Sequence, residues 1–219
     1  MKKTTVITLL ILGVSAFKGN AQEPVKTLFK TPTIKQLGLY VAPEYQYGQL
    51  KNQFTSLGGA SLMLLVNQQF AFGFSGQRSL DQSFSPSGVS PLYLHAGMGG
   101  LKMEYTPKPA SAIHLSFPLF IGMGFAQADS SYTGFRTMNS DSLMRANRAN
   151  RNDYFIIQPG VTAEANVIKY VKVFAGVNYR FAFNRDNTNT LPSSTMQGFS
   201  AFAGLKIGLF DYNLNRKNQ

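Results

Sequence analysis

The stretch IHLSFPLFIGMGFA, residues 113–126, decides the fold. Ile113, Leu115, Phe117, Leu119, Ile121, Met123 and Phe125 alternate with His114, Ser116, Pro118, Phe120, Gly122, Gly124 and Ala126. Successive side chains of an extended chain point to opposite faces, so this period of two predicts a strand with one unbroken bulky apolar face. Two later stretches repeat the pattern. In 154–167, Phe155, Ile157, Val161, Ala163 and Val167 alternate with Gln158, Gly160, Thr162, Glu164 and Asn166. In 171–183, Val173, Ala175, Val177, Tyr179 and Phe181 alternate with Lys172, Gly176, Asn178 and Arg180.

Working outward, the chain from Leu37 divides into eight such segments: 37–49, 56–66, 70–80, 91–106, 112–127, 154–167, 171–183 and 198–210. Each is at least as long as the ~9–11 residues with which a tilted strand crosses a bilayer. The second is the least regular, because Leu62-Met63-Leu64-Leu65-Val66 does not alternate. Its connections to the third segment (Asn67-Gln68-Gln69), from the fourth to the fifth (around Pro107-Lys108-Pro109) and from the sixth to the seventh (Ile168-Lys169-Tyr170) are tight. Asp81 to Ser90, Asp129 to Asp153 and Asn184 to Gln197 are long, and Leu50 to Thr55 is modest. Tight turns at one end and long loops at the other predict an eight-stranded antiparallel transmembrane up-and-down β-barrel, spanning 37–210. An even strand count puts both termini on the periplasmic side, including a tail over 211–219.

The start of the chain fits export. Lys2 and Lys3 precede an apolar stretch from Val6 to Val14, and Gly19-Asn20-Ala21 forms a small-residue cleavage site before Gln22. That is the layout of a secretory signal over 1–21, followed by a lead-in over 22–36 carrying Lys26, Lys30 and Lys35. The apolar run is about half the ~20 residues a spanning helix needs. No later apolar run approaches that length, so contact with a membrane would be through strands or at its surface.

Removing Lys2, Lys3 and Lys18 leaves 18 of the 21 Lys and Arg against 10 Asp and Glu. These cations gather in loops and termini rather than on one face, which argues against a nucleic-acid partner and for anionic lipid headgroups or phosphorylated lipopolysaccharide. The absence of cysteine removes disulfides, thiolate metal sites and cysteine nucleophiles.

Tyr93 and Tyr105 share a face of one segment, twelve residues apart. At ~3.4 Å per residue and ~40° of tilt they stand about 30 Å apart along a membrane normal, which suits the two aromatic girdles of a barrel. Tyr45, Tyr47, Phe155, Tyr179, Phe181 and Phe199 would populate the outer girdle. Strand charges fall almost wholly on the opposite parity: Glu44, Lys102, Glu104, Glu164, Lys172, Arg180 and Lys206. A Lys or Arg facing lipid near the midplane costs ~2–4 kcal/mol, so these should turn into the lumen and pair there. An eight-stranded lumen is only wide enough to be filled by side chains, which predicts a salt-bridged plug rather than a pore.

In GGLKMEYTPKPASAIHLSFPLFIGMG (99–124), YFIIQPGVTAEANVIKYVKVFAGVNYRF (154–181) and the closing GLKIGLF, the chain resembles a family of small outer-membrane β-barrel proteins of the Bacteroidota. The resemblance implies the barrel fold and the outer membrane, and brings no activity with it. The last strand, GFSAFAGLKIGLF, also resembles the terminal signal read by the barrel-assembly machinery.

Signs of chemistry are sparse. The two histidines, His95 and His114, do not stand at metal-ligand spacing, and the strand glycines do not form a phosphate cradle, so no metal or cofactor is expected. His114 and Ser116 share a face, with Glu104 across the adjacent turn, the residue types of a hydrolase site. Small barrels that deacylate lipid A have a His-x-Ser strand of similar appearance. The surrounding residues differ, however, and the pair points into the lumen near the periplasmic end, where a hydrogen-bonded interior pair is the simpler reading. The loop 129–153 carries Arg136, Arg145, Arg148 and Arg151, whose planar guanidinium groups suit phosphate. The expectation is therefore a non-enzymatic outer-membrane barrel with a structural or surface-recognition role. The alternatives are a lipid-modifying hydrolase, a soluble lipocalin-like carrier of an apolar ligand and, least favoured, a passive channel.

Overall fold

The computed structural model describes residues 34–50, 53–81, 83–84, 92–129, 151–184 and 193–213. They form eight long strands: β1 Gln36–Leu50, β2 Gln53–Val66, β3 Phe70–Asp81, β4 Leu92–Tyr105, β5 Ile113–Asp129, β6 Arg151–Ile168, β7 Val171–Asn184 and β8 Gly198–Asn213. A two-residue strand, Ser83–Phe84, prolongs β3 alongside Tyr93 and Leu92. Each long strand pairs antiparallel with its chain neighbours, and β8 returns to β1 through the ladder from Gln36↔Asn213 to Gly48↔Ser200. The result is a closed eight-stranded antiparallel β-barrel, without the unpaired edges that make an open sheet adhesive.

The strands reach further than the alternating pattern indicates, mostly at the end opposite the tight turns. β2 begins at Gln53, β5 runs to Asp129, and β6 begins at Arg151. Backbone pairing continues there although the residues have become polar.

The tight β2–β3 turn has a local cause. Asn67 (φ 51°) and Gln68 (φ 58°) are both left-handed, which is what a type I′ hairpin turn requires and what Asn accepts more readily than most residues. Asn67 Oδ1 then accepts hydrogen bonds from the backbone N–H of Lys35 (2.8 Å) and Gln36 (3.3 Å). The turn thereby holds the start of β1.

Outside, the wall is apolar: Leu39, Phe72, Phe74, Leu101, Leu115, Val177, Phe181 and Leu209 are all exposed. Inside lie two apolar clusters with polar side chains between them. Near the turns stand Tyr40, Met63, Leu65, Phe174, Phe202 and Phe210. Near the long connections stand Leu50, Leu57, Met98, Phe120, Tyr154, Ile156 and Met196. The Leu62–Val66 run resolves here. Leu62 faces out while Met63 and Leu65 are buried in the turn-end cluster, so the strand alternates in direction although both its faces are apolar. Inward glycines give the rings space. A Cβ on Gly204 would lie 2.6 Å from Phe174 Cζ, and one on Gly176 would lie 2.8 Å from Phe202 Cζ. Glycine opposite phenylalanine is how a narrow taper is filled.

Candidate functional site

The chemistry of the described residues is concentrated in the turn-end half of the lumen, where β1, β4, β5, β6 and β8 each contribute an inward polar side chain. Lys206 on β8 is its centre. Its Nζ donates to Glu104 Oε1 on β4 (2.5 Å) and to Glu164 Oε1 on β6. Tyr40 donates its hydroxyl to Glu104 Oε1 (3.4 Å), and Ser116 Oγ donates to Glu164 Oε1. His114 Nε2 stands 3.4 Å from Glu164 Oε2, while its Nδ1–H donates to the Ser111 carbonyl (2.9 Å). The Lys206 ammonium also lies 5.2 Å from the Tyr40 ring centre and 5.7 Å from that of Phe174. One cation between two carboxylates, with a hydroxyl on each, satisfies charges that would each cost several kcal/mol if buried alone.

A second pair lies further along the lumen. Lys102 Nζ donates to Glu44 Oε2 (2.7 Å) and to Ser61 Oγ (3.3 Å), and Gln77 Nε2 donates to the other Glu44 oxygen. Beyond it, Gln158 donates to Gln46 (3.5 Å), which donates to Asn178 (3.4 Å). The spaces left between these groups are about 10 Å³ beside Lys206 and about 20 Å³ beside Glu44. Each holds about one water at most, so side chains fill the lumen around these two groups.

The seven charges expected to pair in the lumen are thus buried or nearly so, but they do not form one network. Five of them make the two groups above. Lys172 instead points its Nζ at the face of Phe210, 4.6 Å from the ring centre. Arg180 lies at the opposite end, fully buried, with Nη1 donating to the Met196 carbonyl and Nη2 to Ser200 Oγ, both at 3.4 Å. Its partners among the described residues are neutral.

The trio His114, Ser116 and Glu104 is not assembled as a hydrolase site would require. Strand register sets His114 directly opposite Glu164, whereas Glu104 faces Pro118. Ser116 gives its proton to Glu164, not to His114, and Glu104 is held by Lys206 and Tyr40. A nucleophile needs its base within hydrogen-bond reach; here the imidazole and the hydroxyl converge on one carboxylate, and Ser116 is 0% exposed.

Of the aromatic positions expected to form girdles, Tyr45, Tyr47, Tyr105, Phe155, Phe181 and Phe199 are exposed on the outer wall, and Tyr179 is half-buried between Phe181 and Phe199 at 4.6 Å from each ring centre. The Tyr93 side chain lies outside the described residues. So do Arg136, Arg145 and Arg148, while Arg151 is described only as the first residue of β6. The Leu50, Tyr154 and Met196 cluster was not expected. Its members come from a strand end, a strand start and the short 3-10 turn region after Ser193, and no periodic signal links them. Gln46 and Asn178 carried a usable signal, since they share the parity of the charges on their own strands.

No family model matches the chain, and no curated protein matches it in sequence. Among solved structures it is similar to Neisserial surface protein A, at 13% identity over 78% of this chain and 96% of that one, with a TM-score of 0.50. It is also similar to the N-terminal β-barrel domain of Pseudomonas aeruginosa OprF (10% identity, 81% and 100% covered, TM-score 0.47) and to Ail, the attachment invasion locus protein of Yersinia pestis (9%, 80% and 100%, 0.47). At such identities the likeness is one of fold. The chain shares with Neisserial surface protein A the architecture of a small closed barrel.

Proposed function

We propose that the protein is an integral outer-membrane barrel with a plugged lumen, and that its role is structural or one of surface recognition through the long connections 82–91, 130–150 and 185–197. The observation that carries this reading is the inverted wall. Large apolar side chains ring the outside, with Ile113 at 73% and Phe199 at 68% exposure, while Glu44, Glu104, Glu164, Arg180 and Lys206 are buried inside. In water that arrangement would be costly on both sides; in lipid it is the stable one. The reading includes export by the 1–21 signal, insertion by the barrel-assembly machinery, and turns and termini in the periplasm. The loop arginines Arg136, Arg145, Arg148 and Arg151 would contact lipopolysaccharide phosphates. The strand motifs at 99–124 and 154–181 support a place among the barrels of the Bacteroidota.

The test is heat modifiability. Mature protein extracted in detergent should run as two bands on a gel, one unboiled and one boiled, and should occur only in the membrane fraction. Solubility without detergent and no band shift would instead favour a lipocalin-like carrier, which needs its apolar face inward. The hydrolase reading draws on Ser116, Glu164 and His114 lying together; an unchanged lipid A mass profile in His114→Ala cells would end it. Sizeable conductance in planar bilayers would revive a channel.

A further inference from the structure

The outer wall is not uniformly bulky. On β4, Gly97 and Gly99 share the outward parity of Leu101 and Tyr105, and on β3 Gly76, the ladder partner of Gly99, does the same. A Cβ on Gly99 would meet only the Ser75 carbonyl oxygen at 3.9 Å, and one on Gly76 only that of Met98 at 3.9 Å. The space above them is therefore open. At Gly97 the floor is instead covered by the Phe125 ring, whose Cε1 would stand 2.7 Å from such a Cβ. Met123 and Phe155 form one wall, Arg78 stands on the other side, and the hollow measures about 530 Å³. That lies within the range of ligand pockets, ~300–1,000 Å³. The hollow opens on the outer face beside Arg78, Gly99, Met123 and Phe155, and its back is formed by Met98 and Tyr154, which pack the lumen.

Its depth identifies what fits. Arg78 is eight residues along β3 from Phe70, which stacks with Tyr105 in the turn-end girdle. At ~3.4 Å per residue and ~40° of tilt that is about 21 Å along the barrel axis, against an apolar band ~25 Å tall. Arg78 thus stands where hydrocarbon gives way to headgroups on the long-loop side, and the glycine floor lies just below it at the level of acyl chains. A guanidinium at headgroup level suits a phosphate. Asp153 lines the opposite wall on β6, three strands from Arg78. The wall is also irregular at this point. The β2–β3 register shifts between Ser56 and Leu57, leaving Leu80 as an extra residue, and Ser79 Oγ accepts the Ala96 N–H at 3.0 Å in place of a ladder bond. Such bulges gather at barrel rims and beside sites.

We propose that this groove is a lateral binding site for one acyl chain of a phosphorylated outer-leaflet glycolipid of the lipid A type, with its phosphate on Arg78. The inference rests on the outer-membrane reading above, which sets the long-loop side in the outer leaflet. It requires Gly99 to remain without a side chain, and it makes this groove a place of slow lipid exchange on a wall where lipid otherwise passes quickly.

The test is native mass spectrometry of detergent-solubilised, folded protein given lipid A or phosphatidylethanolamine at equal concentration. The wild type should retain one lipid A in preference to phosphatidylethanolamine. Gly99→Leu and, independently, Gly99→Val should reduce that adduct by filling the groove, Leu at least ten-fold, and Arg78→Gln should reduce it several-fold. Val161→Leu, on another part of the wall, should leave it unchanged. The band shift on heating reports folding for every variant. Equal retention of both lipids, equal adducts in all variants, or no adduct on the wild type overturns the groove proposal alone. A wild type that needs no detergent overturns the membrane reading beneath it.

Discussion

The two ends of the lumen solve the same packing problem with different chemistry. At the turn end Lys206 is enclosed by Glu104 and Glu164, with Tyr40, His114 and Ser116 completing the shell. At the loop end Leu50, Leu57, Met98, Tyr154, Ile156 and Met196 close the barrel with apolar contact, and the acceptors of the fully buried Arg180 among the described residues are neutral. One end is held by matched charge, the other by shape. The difference teaches that a buried charge is a stability hazard in proportion to what its removal leaves behind, rather than to its own burial.

The largest expected effect follows from that. Lys206→Met leaves two buried carboxylates without their cation and should destabilise the barrel by about 3–5 kcal/mol. The temperature at which the compact band converts on a gel would fall accordingly, and the triple variant Lys206→Met with Glu104→Gln and Glu164→Gln should recover most of the loss. At the other end, Ile156→Ala should cost about 3 kcal/mol through the cavity it opens among well-packed neighbours. Urea-driven loss of the compact band measures it, and a neighbour-filling variant should restore it in part.

Arg180→Met sharpens the comparison. It removes a charge as deeply buried as Lys206 yet strands no carboxylate among the described residues, so its cost should stay within about 1 kcal/mol, and a slight gain would fit as well. A loss equal to that of Lys206→Met would break the contrast. Asn67→Ala acts at the turn outside both clusters. It removes the acceptor for two N–H groups and a residue suited to φ 51°, and should cost about 1 kcal/mol in the same assay.

How far the sequence revealed these ends differs as well. The outer face was legible because most of its positions are large and apolar, and Ile113 to Phe125 repeats that at period two. The inward placement of Glu104, Glu164 and Lys206 followed from parity alone. Their partners did not. Glu104 seemed the natural neighbour of His114 because a short turn joins their strands, but pairing depends on register, and register gives His114 to Glu164 on β6. The Leu62–Val66 run hid its alternation because Met63 and Leu65 meet an apolar part of the lumen. The loop-end cluster had no periodic trace, since Met196 belongs to a connection and reaches Leu50 and Tyr154 only once the barrel closes.

The central claim is that the outer wall faces lipid while the inner face is sealed. The chain has no cysteine, so single cysteines at Leu115, Val177 and Leu101 on the wall, and at Ser75 inside, can each carry a spin label without background. In reconstituted bilayers the three wall labels should collide with dissolved oxygen and hardly at all with a water-soluble nickel chelate, while the Ser75 label should be sheltered from both. Strong relaxation of the wall labels by the nickel chelate would place that face in water and contradict the account.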